Sequence, residues 1–463
     1  MSPSEIPPLA SSAEVLDWLL ESTSMFQMRV RQVPLRQLRN WWFVPGPLRL
    51  SHESGQFFSI VGIRHWATFG STPEWDQPMI DQPEVGILGF LTKVIAGERC
   101  LLVQVKIEPG NTEGAQLAPT VQATRSNYTR VHGGRVPPYL DYFQDTSGSR
   151  VFVDQLQSEQ TSRFLYKRNR NMLIEPMGEV PLLPRFKWIP WTVMTSMLGM
   201  DKTVNMDARS VISCVSYDHV FEARPDSKFA QALRGSMRDA QPSSMERVLH
   251  WFTRLRADFP RRSMIVGLDE LAGWSVSEDE VGRADGRYFS VIGVEVETER
   301  REVSFWSQPL IKHHGRGLNG MITQQVDGTL RFLIRGCCYP GSMDNFQLGS
   351  TVSLSDYLSR IGGPGTPAFL EHFVDQDPKR IRHSSLQCEE GGRFLSYENR
   401  YIVIELDEGT IRDLPGGFVW MTLGEIYALM PHGYMSIEAR NLLACLHAPL
   451  PLPSESADPS CSS

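Results

Sequence analysis

The segment GQFFSIVG at residues 55–62 returns as GRYFSVIG at residues 286–293, 231 positions later (286 minus 55). The same spacing aligns further pairs along the chain: Trp75 with Trp306, Gln77 with Gln308, Gly110 with Gly341, and Cys214 with Cys445. This period is much longer than the roughly 20–50 residues of a solenoid unit. The sequence therefore predicts two similar globular domains that arose by duplication.

The repeat also sets the domain borders. We predict a first repeat over 11–217, a linker over 218–242, a second repeat over 243–449 and a disordered tail over 450–463. The linker region is polar and contains Pro and Ser, and the tail PLPLPSESADPSCSS has too little apolar content to fold. Two domains also suit a chain of 463 residues, which exceeds the usual size of one core.

Both repeats show one order of local patterns. A helix opens each repeat, with a capping-box pattern at Ser11 and Glu14 and again at Ser243 and Glu246. Short β-branched runs such as FFSIVGI, NMLIEP and YIVIEL follow, and their alternation favours antiparallel strands. Helical patterns close each repeat. We therefore predict an α+β fold with mixed or antiparallel sheets flanked by helices.

Composition excludes several classes of protein. Hydrophobic residues make up 41%, enough for packed cores, and the net charge of -7 argues against a general nucleic-acid binder. We see no apolar run of transmembrane length and no signal-peptide pattern, so we expect a soluble cytoplasmic protein. The seven cysteines are scattered without metal-ligand spacing, so we expect reduced thiols and no metal site.

The sequence GRGLNG at 315–320 matches the G-x-G-x-x-G pattern of dinucleotide sites. Such a site needs a strand before the glycines and a helix after them, whereas the strand-like MITQQV follows here. We therefore interpret these residues as turn glycines.

A long polar segment, QLAPTVQATRSNYTRVHGG at 116–134, stands out in the first repeat. It carries Arg125, Tyr128, Arg130 and His132 among hydroxyl and amide side chains. Two guanidinium groups suit a diphosphate because each can donate paired, charge-assisted hydrogen bonds. The alternative is an ordinary solvated loop.

Comparison of the repeats separates these interpretations. The second repeat has STVSLSDYLSR at the equivalent place, and the motif Lys106-Ile107-Glu108 becomes Cys337-Cys338-Tyr339. A charge pair present in only one copy indicates a site, although a surface Lys/Glu ladder is the alternative. Features kept in both copies are more typical of scaffold: the Gln-Pro after Trp, Glu159 and Arg163 with Glu389 and Arg393, and Arg209 with Arg440.

The long segment, with KIEPGN before it and RFLYKRNRN after it, resembles the NDP-hexose 2,3-dehydratases of deoxysugar biosynthesis. The resemblance implies two Nudix-like domains, a homodimer and activity on dTDP-4-keto-6-deoxyglucose. The reaction would remove the C2 hydroxyl and leave a 3,4-diketo-2,6-dideoxy sugar nucleotide for antibiotic biosynthesis, so a 3-ketoreductase would act next. The Nudix box with its glutamate cluster is absent, which agrees with a reaction without metal or cofactor.

The resemblance also suggests roles for particular residues. Glu108 would be the base and Lys106 the enolate stabiliser, and Tyr128 or His132 would protonate the leaving hydroxyl. Arg125 and Arg130 would hold the diphosphate, and Trp66 would stack on thymine or ribose or be an ordinary core residue. Further contacts to sugar or phosphate would come from Gln116, Thr120, Gln122, Thr124, Ser126 and Asn127.

The second repeat would not turn over, because its counterparts of Lys106 and Glu108 are not ionised at neutral pH. It would keep a vestigial nucleotide pocket with Trp306, Arg331 and Arg335 as contacts. Two other classes remain open at this point: a Nudix-type nucleotide-sugar hydrolase, and a non-catalytic nucleotide-sugar binding protein.

Overall fold

The computed structural model of the chain describes residues 7–70, 73–124, 136–217, 227–298, 303–355, 366–374 and 376–448. The predicted tail over 450–463 lies outside the described residues, as does the first part of the predicted linker, 218–226. The rest of that linker contains a helix, Lys228–Arg238.

The first repeat opens with helix α1 and continues with strands and three short helices. Its elements are α1 Ser12–Met25, β1 Met28–Val33, β2 Trp41–Val44, β3 Arg49–His52, β4 Ser59–Ala67, β5 Glu74–Asp81, β6 Gly86–Ile95, β7 Glu98–Lys106, β8 Gln116–Ala118, β9 Val121–Ala123, α2 Leu140–Gln144, β10 Ser149–Ser158, β11 Phe164–Leu165, β12 Arg168–Pro176, β13 Phe186–Pro190, α3 Trp191–Met197 and α4 Met206–Ser213.

The second repeat follows the same order, with one additional helix at its start. Its elements are α5 Lys228–Arg238, α6 Pro242–Asp258, β14 Arg261–Val266, β15 Trp274–Val276, β16 Glu280–Arg283, β17 Phe289–Thr298, β18 Phe305–His313, β19 Gly317–Val326, β20 Thr329–Cys337, β21 Gln347–Gly349, β22 Val352–Leu354, α7 Glu371–Val374, β23 Ile381–Cys388, β24 Phe394–Leu395, β25 Glu398–Leu406, β26 Phe418–Met421, α8 Leu423–Leu429 and α9 Ile437–Cys445.

The strands form four mixed sheets, two for each repeat. The larger sheets have the orders β10-β12-β6-β7-β13 and β23-β25-β19-β20-β26, and in each of them two short strands extend the central pair. The smaller sheets have the orders β11-β5-β4-β3-β2 and β24-β18-β17-β16-β15. The fold is therefore α+β, and its two halves share one topology.

Each repeat gives one strand to the smaller sheet of the other repeat. Strand β1 pairs antiparallel with β17, where Val33 lies opposite Gly293. Strand β14 pairs antiparallel with β4, where Val266 lies opposite Gly62. The two repeats are therefore joined by a reciprocal exchange of strands.

The exchanged strands explain why the repeated segments at 55–62 and 286–293 both end in glycine. A β-carbon built on Gly62 would lie 2.8 Å from the carbonyl oxygen of Val266. One built on Gly293 would lie 2.7 Å from the carbonyl oxygen of Val33. Both glycines are therefore required because the backbone of the incoming strand passes where a side chain would begin.

Helices α4 and α9 pack against each other between the repeats, and every residue of both helices is buried. Arg209 on α4 donates from Nη2 to the carbonyl oxygen of Cys388 in the second repeat, at 2.7 Å. Arg440 on α9 donates from Nη2 to the carbonyl oxygen of Ser158 in the first repeat, at 2.6 Å. Each helix therefore holds the end of a strand that belongs to the other repeat.

Neither predicted capping box forms in full. At α1 the Ser11 hydroxyl accepts from the backbone N–H of Glu14 at 3.3 Å, as predicted, but the Glu14 carboxylate accepts from the N–H of Ala10, one residue before the N-cap. At the second repeat the helix begins at Pro242 with Gln241 as its N-cap, so Ser243 lies inside the first turn. Proline suits the first helical position because it has no N–H to satisfy, and it moves the start of the helix forward.

Two further expectations need correction. The strands predicted from NMLIEP and YIVIEL each have one parallel neighbour, β6 beside β12 and β19 beside β25. The prediction missed this because the alternation within a strand does not indicate the direction of its neighbour.

Gly317 and Gly320 are not turn glycines but lie in β19. A β-carbon on Gly320 would meet the Phe373 ring at 2.6 Å, so this glycine makes room for packing.

The six cysteines in the described part of the chain are free thiols. Of the helices that the structure describes, none has the length and apolar character needed to span a bilayer.

The glycine at the strand exchange gives a stability prediction. Gly293→Ala should lower the free energy of unfolding by about 1–3 kcal/mol, because the added methyl group overpacks a backbone contact. Gly148→Ala is the matched control, since Gly148 has no atom within 4 Å of its β-carbon position. Urea unfolding of both variants measures the difference, and equal midpoints would contradict the close approach.

Candidate active site

Lys106 and Glu108 meet at the end of strand β7 in the first repeat. Lys106 is the last residue of the strand, and its Nζ lies 2.9 Å from Oε1 of Glu108. Gln122 on β9 donates from Nε2 to the same carboxylate oxygen at 3.1 Å. Glu108 is buried, while a quarter of the Lys106 side chain is exposed. Two donors on one oxygen stabilise the carboxylate form of Glu108.

The amide of Gln122 is itself held in place. Asn205 donates from Nδ2 to Oε1 of Gln122 at 3.1 Å. The Oδ1 atom of Asn205 accepts from the backbone N–H of Ala208 at 2.8 Å and so caps helix α4. Glu108 is therefore positioned through Gln122 by the start of a fully buried helix.

A loop of the second repeat, residues 389–393, closes over this carboxylate. The N–H of Gly110, two residues after Glu108, donates to the carbonyl oxygen of Gly391 at 2.7 Å. A β-carbon built on Gly392 would lie 3.3 Å from Oε1 of Glu390 and 3.6 Å from Oε1 of Glu108. Carboxylates from both repeats therefore border the same small space.

Two glutamines of the motif shared by both repeats hold the loops. Gln308 donates from Nε2 to the carbonyl oxygen of Gly392 at 2.8 Å, and Gln77 makes the same bond to Ser162, at 2.7 Å. Arg393 lies at the end of the loop and donates to Oε1 of Gln82 at 3.0 Å. The scaffold interpretation is correct for the glutamines, but Arg393 also borders the site.

Burial raises the pKa of Glu390 to about 7, and the neighbouring carboxylates Glu159 and Glu108 add to the shift while Arg393 opposes it. Burial also raises the pKa of Asp207, on helix α4, well above its ordinary value, with Glu390 the foremost contributing charge. Three carboxyl groups, those of Glu108, Asp207 and Glu390, thus share one neighbourhood, and they cannot all be ionised at neutral pH.

Lys167 supplies a second ammonium group near these carboxyl groups, and unlike Lys106 it is buried. It follows strand β11 and donates to the carbonyl oxygen of Glu84. Burial lowers the pKa of Lys167, while Glu159, Glu84 and Glu390 act to raise it. The site therefore combines acidic and basic groups in a poorly hydrated space.

The equivalent place in the second repeat is a cavity without the ion pair. A loop of the first repeat, carrying Gln160 and Arg163, covers it. Its other lining residues include His313, Ser353, Tyr397, Asn399 and Glu438. By the repeat spacing, Ser353 stands in place of Gln122 and Gln160 in place of Glu390.

The groups that replace the ion pair are not ionised at neutral pH. Burial raises the pKa of Cys337, which stands in place of Lys106, and the pKa of Tyr339, which stands in place of Glu108. Burial lowers the pKa of His313, and Arg163 lowers it further. The two sites therefore have one architecture, but the second has neutral side chains where the first has the Lys106–Glu108 pair.

The family model for NDP-hexose 2,3-dehydratase matches this chain twice, at residues 12–215 and 245–446. This chain belongs to the NDP-hexose 2,3-dehydratase family. One match falls on each repeat, which agrees with the duplication seen in the sequence.

Three curated relatives are each named dTDP-4-dehydro-6-deoxy-alpha-D-glucopyranose 2,3-dehydratase. The protein from Saccharopolyspora spinosa is 38% identical over 93% of this chain and 90% of its own length. The one from Amycolatopsis orientalis is 38% identical over 94% and 90%, and the one from Streptomyces violaceoruber is 37% identical over 93% and 95%.

The structure gives several predicted contacts of this dehydratase-family chain a role in the scaffold. Thr120 is buried, and its hydroxyl donates to the carbonyl oxygen of Leu102 and accepts from the N–H of Leu91. Gln116 is buried and donates to the carbonyl oxygen of Lys202 at 2.8 Å. These bonds use the Thr120 hydroxyl and the amide nitrogen of Gln116 within the scaffold, and both residues stay predicted contacts.

The other predicted residues are spread over the fold. Trp66 lies on β4, opposite Arg262 of the exchanged strand, and 38% of it is exposed. Trp306 lies on β18 and donates to Oε1 of Gln308 at 2.9 Å. Thr124 follows β9 and is half-buried.

The arginines predicted for the second pocket lie in different places. Arg335 donates to the Tyr339 hydroxyl at 3.3 Å, beside the second cavity. Arg331 lines another groove, with Arg247 and Trp420. The remaining predicted residues lie outside the described part of the chain: Arg125, Ser126, Asn127, Tyr128, Arg130 and His132.

Reasoning from the sequence missed four residues that border the first site: Glu390, Asp207, Lys167 and Asn205. A signal for two of them was present. Glu390 aligns with Gln160, and Lys167 aligns with Tyr397. In both pairs one repeat has a charged residue where the other has an uncharged one, which is the difference that identified Lys106 and Glu108 as candidates. Nothing in the sequence, however, indicated that the loop of one repeat reaches the site of the other.

Arg209 gives a prediction about how the loop is held. Arg209→Met should lower the free energy of unfolding by at least about 3 kcal/mol, because it leaves several buried acceptors, including Gln387 Oε1 and the Cys388 carbonyl, without their donor. Arg254→Met is the control, since Arg254 is 71% exposed and its ion pair with Asp258 is long, at 3.6 Å. Chemical denaturation compares the two, and a wild-type midpoint for Arg209→Met would refute the role.

Proposed function

We propose that this chain is a dTDP-4-dehydro-6-deoxyglucose 2,3-dehydratase, a lyase that removes water from a nucleotide sugar. The observation that carries the proposal is the likeness to three relatives of that name, which are 37–38% identical over 93–94% of the chain. The charged site in the first repeat supplies the groups that this reaction needs.

The chemistry requires a base, an acid and a group that stabilises negative charge. The C4 ketone acidifies the hydrogen at C3, and a base removes it to give an enolate. The C2 hydroxyl then leaves as water, and the resulting enol becomes the 3-ketone. Because C3 is oxidised as C2 is reduced, the reaction needs no redox cofactor.

Glu108 is the proposed base. Its carboxylate is buried, so little water competes for it, and Lys106 and Gln122 hold it in its charged form. Lys106 is the proposed enolate stabiliser, since its side chain is partly exposed and its ammonium group lies beside the base. A positioned donor at a developing oxyanion is worth about 10²–10³-fold in rate.

The polar segment at 116–134 would bind the rest of the substrate. Gln122 and Thr124 lead from the Glu108 site into this segment. Arg125 and Arg130 would hold the diphosphate, with Ser126 and Asn127 beside them, and Tyr128 or His132 would protonate the leaving hydroxyl. Trp66 stays a predicted contact for thymine or ribose.

The second repeat is proposed to be non-catalytic, because Cys337 and Tyr339 replace the ion pair. It would keep a nucleotide pocket, with Trp306, Arg331 and Arg335 as the predicted contacts.

Several further properties belong to the proposal alone. The repeats would be Nudix-like domains, the protein would be a cytoplasmic homodimer, and a 3-ketoreductase would consume the product in antibiotic deoxysugar biosynthesis. These properties rest on the resemblance of the sequence to the family.

One incubation separates the proposal from its alternatives. The protein is mixed with dTDP-4-keto-6-deoxyglucose and a 3-ketoreductase, and the products are followed by mass spectrometry. A dehydratase gives loss of water. A Nudix-type hydrolase would release dTMP and sugar phosphate, and a binding protein would leave the substrate unchanged.

Glu108→Gln tests the base. Turnover should fall by about 10²–10⁴-fold, because the amide cannot accept the C3 proton, while binding of the dTDP-sugar is retained. Glu113→Gln is the control, since Glu113 lies in the same loop and is 69% exposed. Steady-state turnover and calorimetric binding are the measurements, and normal turnover would remove Glu108 as base.

Calorimetry tests the second pocket. Titration with dTDP should give two binding events per chain, and Arg335→Met should remove one of them by taking away a cation for the diphosphate. A stoichiometry of one in the unmodified protein would exclude the pocket.

A further inference from the structure

The loop at 389–393 places Glu390 of the second repeat against the site of the first repeat. The oxygens Glu390 Oε1 and Glu108 Oε1 both lie within 4 Å of the β-carbon position of Gly392. The loop is held there by Gly110, Gln308 and Arg209. This juxtaposition is built into the contact between the repeats and does not depend on one flexible side chain.

The surroundings of the two glutamates differ. Glu108 has an ammonium group at 2.9 Å and an amide donor at 3.1 Å on one oxygen. Glu390 lies among other acidic groups, Glu159, Glu108 and Asp207, with Arg393 and Lys167 as the cations facing it. Of these two glutamates, Glu390 is the one whose carboxyl group burial and neighbouring carboxylates favour in the protonated form, whereas two donors favour the carboxylate form of Glu108. This difference favours Glu390 as an acid and Glu108 as a base.

The other repeat supplies a natural comparison. Gln160 occupies the position of Glu390 on the equivalent loop and lines the second cavity. Its amide donates to Oε2 of Glu389. The fold therefore accepts an uncharged side chain at this position, and the carboxyl group is present only where the Lys106–Glu108 pair is also present.

We propose that Glu390 is a catalytic residue of the first repeat's site, and that it donates the proton that converts the departing C2 hydroxyl into water. This assignment rests on the proposed function. It makes the active site composite, with the base from one repeat and the acid from the other.

The step balances as follows. Glu108 takes the C3 proton, and the electron pair of the C3–H bond enters the enolate across C3 and C4. Return of that pair forms the C2–C3 double bond and breaks the C2–O bond as Glu390 transfers its proton to the leaving oxygen. Water and an enol result, Glu390 is left as a carboxylate, and solvent resets the protons on both glutamates.

If Glu390 is the acid and Glu108 the base, removal of the C3 proton and loss of water can be measured separately. Removal of the acid should slow loss of water by about 10²–10⁴-fold and leave removal of the C3 proton in place. Removal of the base should stop both. Tyr128 and His132 are the competing acids, and the same measurement distinguishes them.

The experiment compares wild type, Glu390→Gln, Glu108→Gln, Tyr128→Phe and His132→Asn in D₂O with dTDP-4-keto-6-deoxyglucose. Mass spectrometry follows loss of water, and NMR follows deuterium at C3 of the recovered substrate above the enzyme-free rate. Glu390→Gln introduces the side chain that the first repeat has at Gln160, so the change is one that the equivalent loop already accommodates. Glu408→Gln, an exposed site in the second repeat, is the control.

For Glu390→Gln we expect the ratio of C3 exchange to water loss to rise by at least about 100-fold. We also expect the decline of turnover above about pH 7 to disappear, because an acid is lost as pH rises through its pKa. Retained exchange shows that the variant is folded and binds substrate.

Wild-type water loss in Glu390→Gln, or loss of exchange together with elimination, overturns the assignment. So does a raised ratio in Tyr128→Phe or His132→Asn instead. No water loss from the wild type overturns the proposed function and this role together. A raised ratio in Glu390→Gln combined with normal turnover in Glu108→Gln supports Glu390 and removes only the base assignment.

Discussion

The exchange of strands β1 and β14 is the constraint on which the rest of the molecule depends. A strand at the edge of a sheet leaves its backbone donors and acceptors unpaired, and here the partner that satisfies them comes from the other repeat. Gly62 and Gly293 permit the approach, because each faces a carbonyl oxygen of the incoming strand. Neither repeat can therefore complete its smaller sheet alone.

The exchange brings the ends of the strands together at two related places. Gly110 meets the loop after β23, and Gly341 meets the loop after β10, and a β-carbon on either glycine would lie within 2 Å of a carbonyl oxygen. The buried guanidinium groups of Arg209 and Arg440 bind the same strand ends from the helices. Each site is consequently made by both repeats, and it can be tuned by substitutions in either.

Local sequence patterns and the comparison of the two repeats were sufficient to predict part of the structure. The repeat, the α+β class and the Lys106–Glu108 pair followed from matching one half of the chain to the other. The strand exchange could not be predicted in this way, because the alternation in β1 indicates which face of the strand is buried and not which sheet it joins. The contribution of Glu390 was missed for the same reason: its position depends on a contact between distant parts of the chain.

The charges of Lys106, Glu108, Lys167 and Glu390 are informative because the second repeat has uncharged side chains at these positions. It keeps a carboxyl group in place of Asp207, at Glu438, and a guanidinium group in place of Arg393, at Arg163. Burying three carboxyl groups near one another costs free energy, which Lys106, Lys167 and Arg393 offset only in part. In the second repeat the positions of Lys106, Glu108 and Lys167 hold Cys337, Tyr339 and Tyr397, and that half has the same sheets and the same closing helices. The fold therefore does not need these charges for its stability. A costly cluster that the scaffold can omit is better explained by proton transfer than by packing.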